Sequence, residues 1–234
     1  MTYSRLPGKV ILEACDQPML QHLINRLRAC PSINQIVLAT TTNASDDVLE
    51  PLAHKSEVSL YRGSEFDVMD RVLAAAESVD ADVIVEITGD CPIIDPDIVE
   101  QTIRMFVNHS ADYVSNNFIR SFPDGMDVQV FRLNTLRQSA AMTCDPLDRE
   151  HVTRHIRNNP DLFSQVHLVA PPSLHWPELG LTLDEQDDYD LLKKIIENLL
   201  PINPLFSCLD VLRLLKKNPD WLEINRNVVR KGDS

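Results

Sequence analysis

Two cations stand four residues apart near the amino terminus, in Ser4-Arg5-Leu6-Pro7-Gly8-Lys9, with proline and glycine shaping the chain between them. Arginine offers a planar fork and lysine a point charge, and a polyphosphate can use both. The same residues also make an ordinary solvated turn. Farther along, Asp90 follows Gly89 at the end of the apolar run 82–88, and Asp184 closes Leu179-Gly180-Leu181-Thr182-Leu183. A hard divalent cation such as magnesium takes oxygen ligands, often one or two carboxylates plus substrate phosphates. Two aspartates at strand ends suit that chemistry, whereas either one alone reads as a helix cap or turn former.

Other constellations carry less. His151 and His155 have a spacing that can bind zinc on a helix, but Val152 stands where a His-Glu-x-x-His site needs glutamate. A structural or substrate-contacting role is expected for His151. Of the two Asp-x-Asp strings, Asp80-Ala81-Asp82 precedes its strand and Asp95-Pro96-Asp97 opens a helix, so neither is placed to hold a metal. No Gly-x-Ser-x-Gly elbow occurs. The six glycines (Gly8, Gly63, Gly89, Gly125, Gly180 and Gly232) are widely spread, which excludes both the dinucleotide-binding fingerprint and the P-loop. Five of the six lie inside or beside the candidate site segments.

The elements that must position these residues follow from periodicity. Residues 33–41, 58–61 and 82–88 read as buried strands, alternating with helical spacing over 46–53, 66–78 and from Asp95 to about Phe106. Asp95-Pro96-Asp97 supplies an N-cap, a proline at the first helical position and an acid near the positive helix end. The second half is less regular. Residues 111–116 and 126–131 read as strands around a loop at Pro123-Asp124-Gly125, followed by a helix over 148–158, a strand over 165–169 and a helix over 185–198. Two short helices are expected near Pro204 and Pro219. Strand–helix alternation predicts an α/β fold with a mostly parallel sheet flanked by helices, whose ligands bind at the carboxyl ends of strands. One domain over 1–234 is expected, with an excursion at about 111–160 and a helical tail over 198–234.

The 234 residues carry 22 basic and 35 acidic side chains, a net charge of −13, which argues against non-specific nucleic-acid binding. No apolar run approaches the roughly 18 residues of a membrane span. The start shows no signal-peptide pattern. Five dispersed cysteines without a Cys-x-x-Cys pair read as reduced thiols of a cytoplasmic protein. Cys91, beside Asp90, is a packing residue rather than a nucleophile on this reading.

Six segments, taken in order, resemble a known family: Ser4-Arg5-Leu6-Pro7-Gly8-Lys9-Val10; Arg62-Gly63-Ser64 with Asp67-Val68 and Asp70-Arg71; Thr88-Gly89-Asp90-Cys91-Pro92; Pro123-Asp124-Gly125-Met126-Asp127-Val128; Arg149-Glu150-His151-Val152-Thr153; and Leu181-Thr182-Leu183-Asp184. The chain is similar to the cytidylyltransferases that make CMP-activated sugar acids, and within them to the spore-coat polysaccharide branch related to acylneuraminate and Kdo cytidylyltransferases. The likeness runs to about residue 197.

This resemblance implies a nucleotide-diphospho-sugar transferase fold of the glycosyltransferase-A type. It also implies attack by a sugar hydroxyl on the α-phosphorus of CTP, with Mg2+ and loss of pyrophosphate. Arg5 and Lys9 would hold the triphosphate, assisted by Ser4, Gly8, Arg62, Arg71 and Gly89, and Asp90 and Asp184 would hold the metal. Asp124, Asp127, Gln129 and His151 would face an acidic acceptor sugar, with Asp127 or His151 available to take the hydroxyl proton. A homodimer through the stretch 111–160 is expected.

Two departures from the family pattern accompany the likeness. The family's first strand, ending in Ala-Arg, would fall before Met1, so this chain begins where that strand should end. Gln129 stands where the spore-coat branch usually has glutamate. A glycosyltransferase using a premade nucleotide sugar, or a catalytically weak nucleotide-binding protein, are the competing readings.

Overall fold

The computed structural model describes residues 5–230. A short hairpin of β1 (Glu13–Ala14) and β2 (Gln17–Pro18) leads into α1 (Met19–Arg28), and then β3 (Val37–Thr41), α2 (Leu49–Lys55), β4 (Ser59–Gly63) and α3 (Val68–Glu77) follow. Next come β5 (Val83–Glu86), α4 (Pro96–Asn108), β6 (Tyr113–Ser115), β7 (Gln129–Arg132) and α5 (Leu133–Met142). The chain continues through α6 (Pro146–Glu150), α7 (Arg154–Asn158), β8 (Gln165–His167), α8 (Gln186–Leu199) and α9 (Cys208–Lys217).

β3 and β4 pair in parallel, and β5, β7, β6 and β8 form a second sheet in that order. The expected parallel pairing is seen in β3–β4 and β6–β8, but β7 runs antiparallel to both its neighbours, so the larger sheet is mixed. The reversal has a local cause. β6 and β7 are joined by the loop carrying Asp124 and Asp127 rather than by a helical crossover, and a parallel connection would require a crossover. Among the described residues, no strand joins the β3–β4 pair to the four-stranded sheet.

The central strands β6 and β7 are covered on both faces. Side chains alternate between the two sides. Val114 and Val130 enter one core with Leu23 of α1, Val99 and Phe106 of α4, Leu191 and Ile195 of α8, and Val211 and Leu215 of α9. Their neighbours Tyr113 and Phe131 enter a second core with Met69 of α3, Leu136 of α5, Ile156 of α7 and Phe163. The result is three layers, helices on either side of a central sheet. Asp95 caps α4 through its own Asp97 amide at 2.9 Å and also accepts the Cys208 amide at 2.6 Å, so one carboxylate starts two helices.

Two expected elements differ in form. The helix over 148–158 is broken into α6 and α7 at residues 151–153, where Val152 takes a positive φ of 38°. That conformation is costly for a β-branched residue, and it separates His151 from His155. The run 179–183 makes no strand and only an isolated bridge between Asp124 and Gly180.

Candidate active site

The amino-terminal loop, the turn after β5 and the turn before α8 meet at one point. Lys9 opens a short 3-10 turn, Lys9–Ile11, immediately after Gly8. Its Nζ lies 3.2 Å from Asp90 Oδ2 and 2.9 Å from Asp184 Oδ1. The backbone fixes the two aspartates together, because the Leu183 amide donates to the Asp90 carbonyl at 2.8 Å. Arg5 closes the other side, with Nη2 at 3.1 Å from Asp184 Oδ2 and Nη1 at 2.5 Å from Glu185 Oε1. Arg5 Nη1 also donates to the Val229 carbonyl at 2.7 Å. The four residues expected to handle triphosphate and metal therefore form one cluster, although 175 positions separate Lys9 from Asp184. Ser4 lies outside the described residues.

The electrostatics agree with this geometry. Burial works against the Lys9 ammonium, yet the charges of Asp90 and Asp184 and their hydrogen bonds outweigh it and raise its pKa. Burial likewise opposes the Asp184 carboxylate, but Lys9, Arg5 and Arg230 together hold its pKa below the usual range. Two carboxylates compensated by one ammonium suit a hard divalent cation whose remaining ligands are phosphate oxygens and water. Among the described residues no group of three or more His, Cys, Asp or Glu side chains is placed to hold a metal ion.

The loop before β7 completes the cleft. The Asp124 amide donates to Leu179 O at 2.9 Å and the Leu181 amide to Asp124 O at 2.7 Å, tying the loop to the segment that leads to Asp184. Gly125 permits this approach. Its φ is 99°, and a Cβ would lie 2.7 Å from the Leu181 carbonyl. Burial raises the Asp124 pKa, against the pull of Arg120 and Arg230, with the Asp90 and Asp184 charges adding to the rise. Arg120 Nη1 lies 2.8 Å from Asp127 and 3.7 Å from Asp124, a partner that the sequence reading did not single out.

The other expected residues are placed differently. Gln129 lies half-buried within the sheet, where its Oε1 accepts from Tyr113 at 2.5 Å and Thr153 at 2.6 Å and its Nε2 donates to Glu86 at 3.1 Å. Arg62 bonds the carbonyls of Thr41 and Asn43 and pairs with Asp47 at 2.7 Å. Arg71 donates to Ser64 O and keeps a buried Nε without a hydrogen bond. These two arginines form a group at the ends of β3 and β4 and make no contact with Asp90 or Asp184 in the arrangement described. A Cβ on Gly89 would meet nothing within 4 Å, so the backbone beside Asp90 is open.

His151 caps α6, its amide bonded to Leu147 O at 2.9 Å. His155 bonds Ser139 at 3.1 Å and packs against Phe163, a core role. Arg149 is committed to Asp67 through Nε and Nη2, the shortest contact being 2.6 Å. Cys91 is buried beside Thr88, and burial followed by the Asp90 charge lifts its thiol pKa well above the ordinary value, which fits packing and not nucleophilic chemistry. All five cysteines are free.

The cluster sits in an α/β scaffold whose sequence matches the cytidylyltransferase family over residues 2–200, and the chain belongs to that family. It is 32% identical over 225 residues to the spore coat polysaccharide biosynthesis protein SpsF of Bacillus subtilis, covering 94% of this chain and 92% of the relative. A solved cytidylyltransferase from Leptospira borgpetersenii superposes with a TM-score of 0.90 at 32% identity, over 99% of this chain and 95% of that one. A shorter match, 26% identical over 141 residues, covers 59% of this chain and 55% of the 3-deoxy-manno-octulosonate cytidylyltransferase of Geobacter metallireducens. The chain is thus a nucleotidyltransferase by family, and among the described residues no helix is long and apolar enough to cross a membrane.

Proposed function

We propose that the protein transfers CMP from CTP to a hydroxyl of an acidic sugar, releasing pyrophosphate, with Mg2+ at Asp90 and Asp184. The observation that carries this reading is the Lys9 ammonium held between the two aspartates, 3.2 and 2.9 Å away. A positive charge is already compensated there at the meeting point of three loops. A bound Mg2+ would neutralise charge on the phosphate oxygens during transfer.

The chain's own residues have distinct tasks. Lys9 and Arg5 turn from carboxylates to phosphate oxygens when CTP enters, so that the ammonium and guanidinium steady the triphosphate and the departing pyrophosphate. The acceptor oxygen forms a bond to the α-phosphorus as the bond to the β-phosphate bridging oxygen breaks. Asp127 or His151, expected on the acceptor side, would receive the hydroxyl proton. Arg120, beside Asp124 and Asp127, supplies the cation that an acidic acceptor needs on a side otherwise lined by carboxylates.

Two relatives, a spore coat polysaccharide biosynthesis protein and a 3-deoxy-manno-octulosonate cytidylyltransferase, support a sugar acid destined for a surface polysaccharide. The same reading has the chain pairing as a homodimer through 111–160, where Phe118 and Ile119 are about half exposed (49% and 48%); sedimentation of the protein as a monomer would remove that part. The test of function is pyrophosphate release from CTP and Mg2+ with a panel of Kdo and nonulosonic acids. Release that depends on one acid supports the proposal. Transfer from a premade nucleotide sugar, without pyrophosphate release from CTP, would refute it.

A further inference from the structure

The carboxyl-terminal residues 225–230 lie beyond the segment matched by the family, yet they reach back to the turn that carries Asp184. Asp188, in the first turn of α8, is wholly buried, and its Oδ2 accepts the amides of Asp184 at 3.1 Å and Glu185 at 3.0 Å. Its Oδ1 is held entirely from the tail in the contacts described, by Arg230 Nη2 at 2.6 Å and Asn225 Nδ2 at 2.9 Å. Arg230 Nη1 also donates to Thr182 Oγ1 at 3.0 Å, and Asn225 Nδ2 to Gly180 O at 3.0 Å. On the other side of the strap, the Val229 carbonyl accepts from Arg5.

We infer that residues 225–230 form a strap that completes the site, with Arg230 as a positioning residue that fixes the Asp184 turn for metal and triphosphate through Asp188. The inference rests on the proposed function, since it assigns Asp184 to the metal. Three features single the strap out from an incidental surface contact. A buried carboxylate requires a compensating charge, and Arg230 is the cation that pairs with it. The oxygen opposite Arg230 organises the backbone on both sides of the Asp184 side chain. Finally, Gly180 leaves the room that the guanidinium fills: a Cβ at that position would lie 2.1 Å from Arg230 Nη2 and 2.3 Å from its Cζ. Arg5 gains a carbonyl anchor from the same segment, so one strap steadies an acidic and a basic member of the cluster.

Outer partners of metal ligands are worth about 10–100-fold in metal affinity or activity, and that range sets the expectation. In Arg230→Gln, amide hydrogen exchange at Asp184 and Glu185 should accelerate by about tenfold, and the Mg2+ concentration giving half-maximal CTP binding should rise by about tenfold. Arg230→Lys keeps the charge without the second bond to Thr182 and should recover part of both effects. Gly180→Ala provides an independent route. Its backbone conformation suits alanine, whose methyl would push the guanidinium aside while leaving every charge in place, and both readouts should move in the same direction.

Unchanged exchange rates and unchanged Mg2+ dependence in Arg230→Gln or in Gly180→Ala would overturn the inference, as would a thermal destabilisation in which neither readout improves on going from Gln to Lys. Failure of the proposed function would look different. The unaltered protein would then bind CTP with no Mg2+ dependence, whereas the exchange rates would still judge whether the strap orders the Asp184 turn.

Discussion

Replacing Lys9 with methionine removes one charge and little volume, leaving Asp90 and Asp184 facing each other without their shared ammonium. At an effective dielectric near 20, each contact (3.2 and 2.9 Å) has a gross Coulomb energy of about 5–6 kcal/mol. Desolvation of the three groups and solvent screening cancel most of that sum. Breaking a buried ion pair costs about 3–5 kcal/mol and an exposed one about 0–1 kcal/mol. Lys9 is 17% exposed and each aspartate 26%, so a net loss of about 2 kcal/mol is expected, between those limits. For a chain of this length that corresponds to a fall in Tm of about 4–8 °C.

The informative comparison is the same pair of melts with and without Mg2+. If the two aspartates form a cation site, Mg2+ replaces the lost ammonium, and the gap between Lys9→Met and the unaltered protein narrows in its presence. Adding Asp90→Asn to Lys9→Met should recover stability in the absence of metal by removing one of the two repelling charges. A gap that is the same with and without Mg2+, and insensitive to Asp90→Asn, would refute the idea that Lys9 occupies a cation position.

Further outcomes follow from neighbouring contacts. Gln129→Glu places a carboxylate opposite Glu86, its cross-strand partner; a loss of about 1 kcal/mol is expected in urea unfolding, recovered in the double variant with Glu86→Gln. Gly125→Ala meets both a φ of 99° and a backbone carbonyl 2.7 Å from the new Cβ, so its Tm should fall by the equivalent of at least about 2 kcal/mol. Stability should also depend on pH in a defined way. Asp184 has a depressed folded pKa, so its contribution is present above the unfolded value and lost as pH falls through the folded one. Lys9 has a raised pKa, so its contribution is present below the unfolded value and lost as pH rises through the folded one. The difference in urea midpoint between the unaltered protein and Lys9→Met should therefore be largest between about pH 5 and pH 10 and shrink beyond either edge.

The parts of this molecule that were legible in its sequence are those set by local physics. The strands at 37–41 and 83–86 and the Asp95-capped helix α4 announce themselves through apolar runs and capping residues, although both strands are only partly buried. The convergence of Arg5, Lys9, Asp90 and Asp184 was legible through the family's ordered segments. Distance in sequence hid other features. Arg230 and Asn225 meet Asp188 across 42 and 37 positions, and no local pattern marks either of them. α1 and α5, whose apolar faces enter the two cores, lie outside the elements read from periodicity. The antiparallel course of β7 goes with a connection from β6 that contains no crossover helix, which alternation alone does not reveal. His151 and His155 share a helical spacing, but the turn at Val152 places them on separate elements.

Calorimetric titration of CTP, with and without Mg2+, into the unaltered protein and Asp90→Asn addresses the metal-and-triphosphate site most directly. Mg2+ should strengthen CTP binding by at least about tenfold in the unaltered protein, and that gain should vanish in Asp90→Asn while its circular dichroism shows the same folded state. Equal Mg2+-dependent binding by the two proteins would contradict the assignment of Asp90 and Asp184 as the carboxylates that meet the metal.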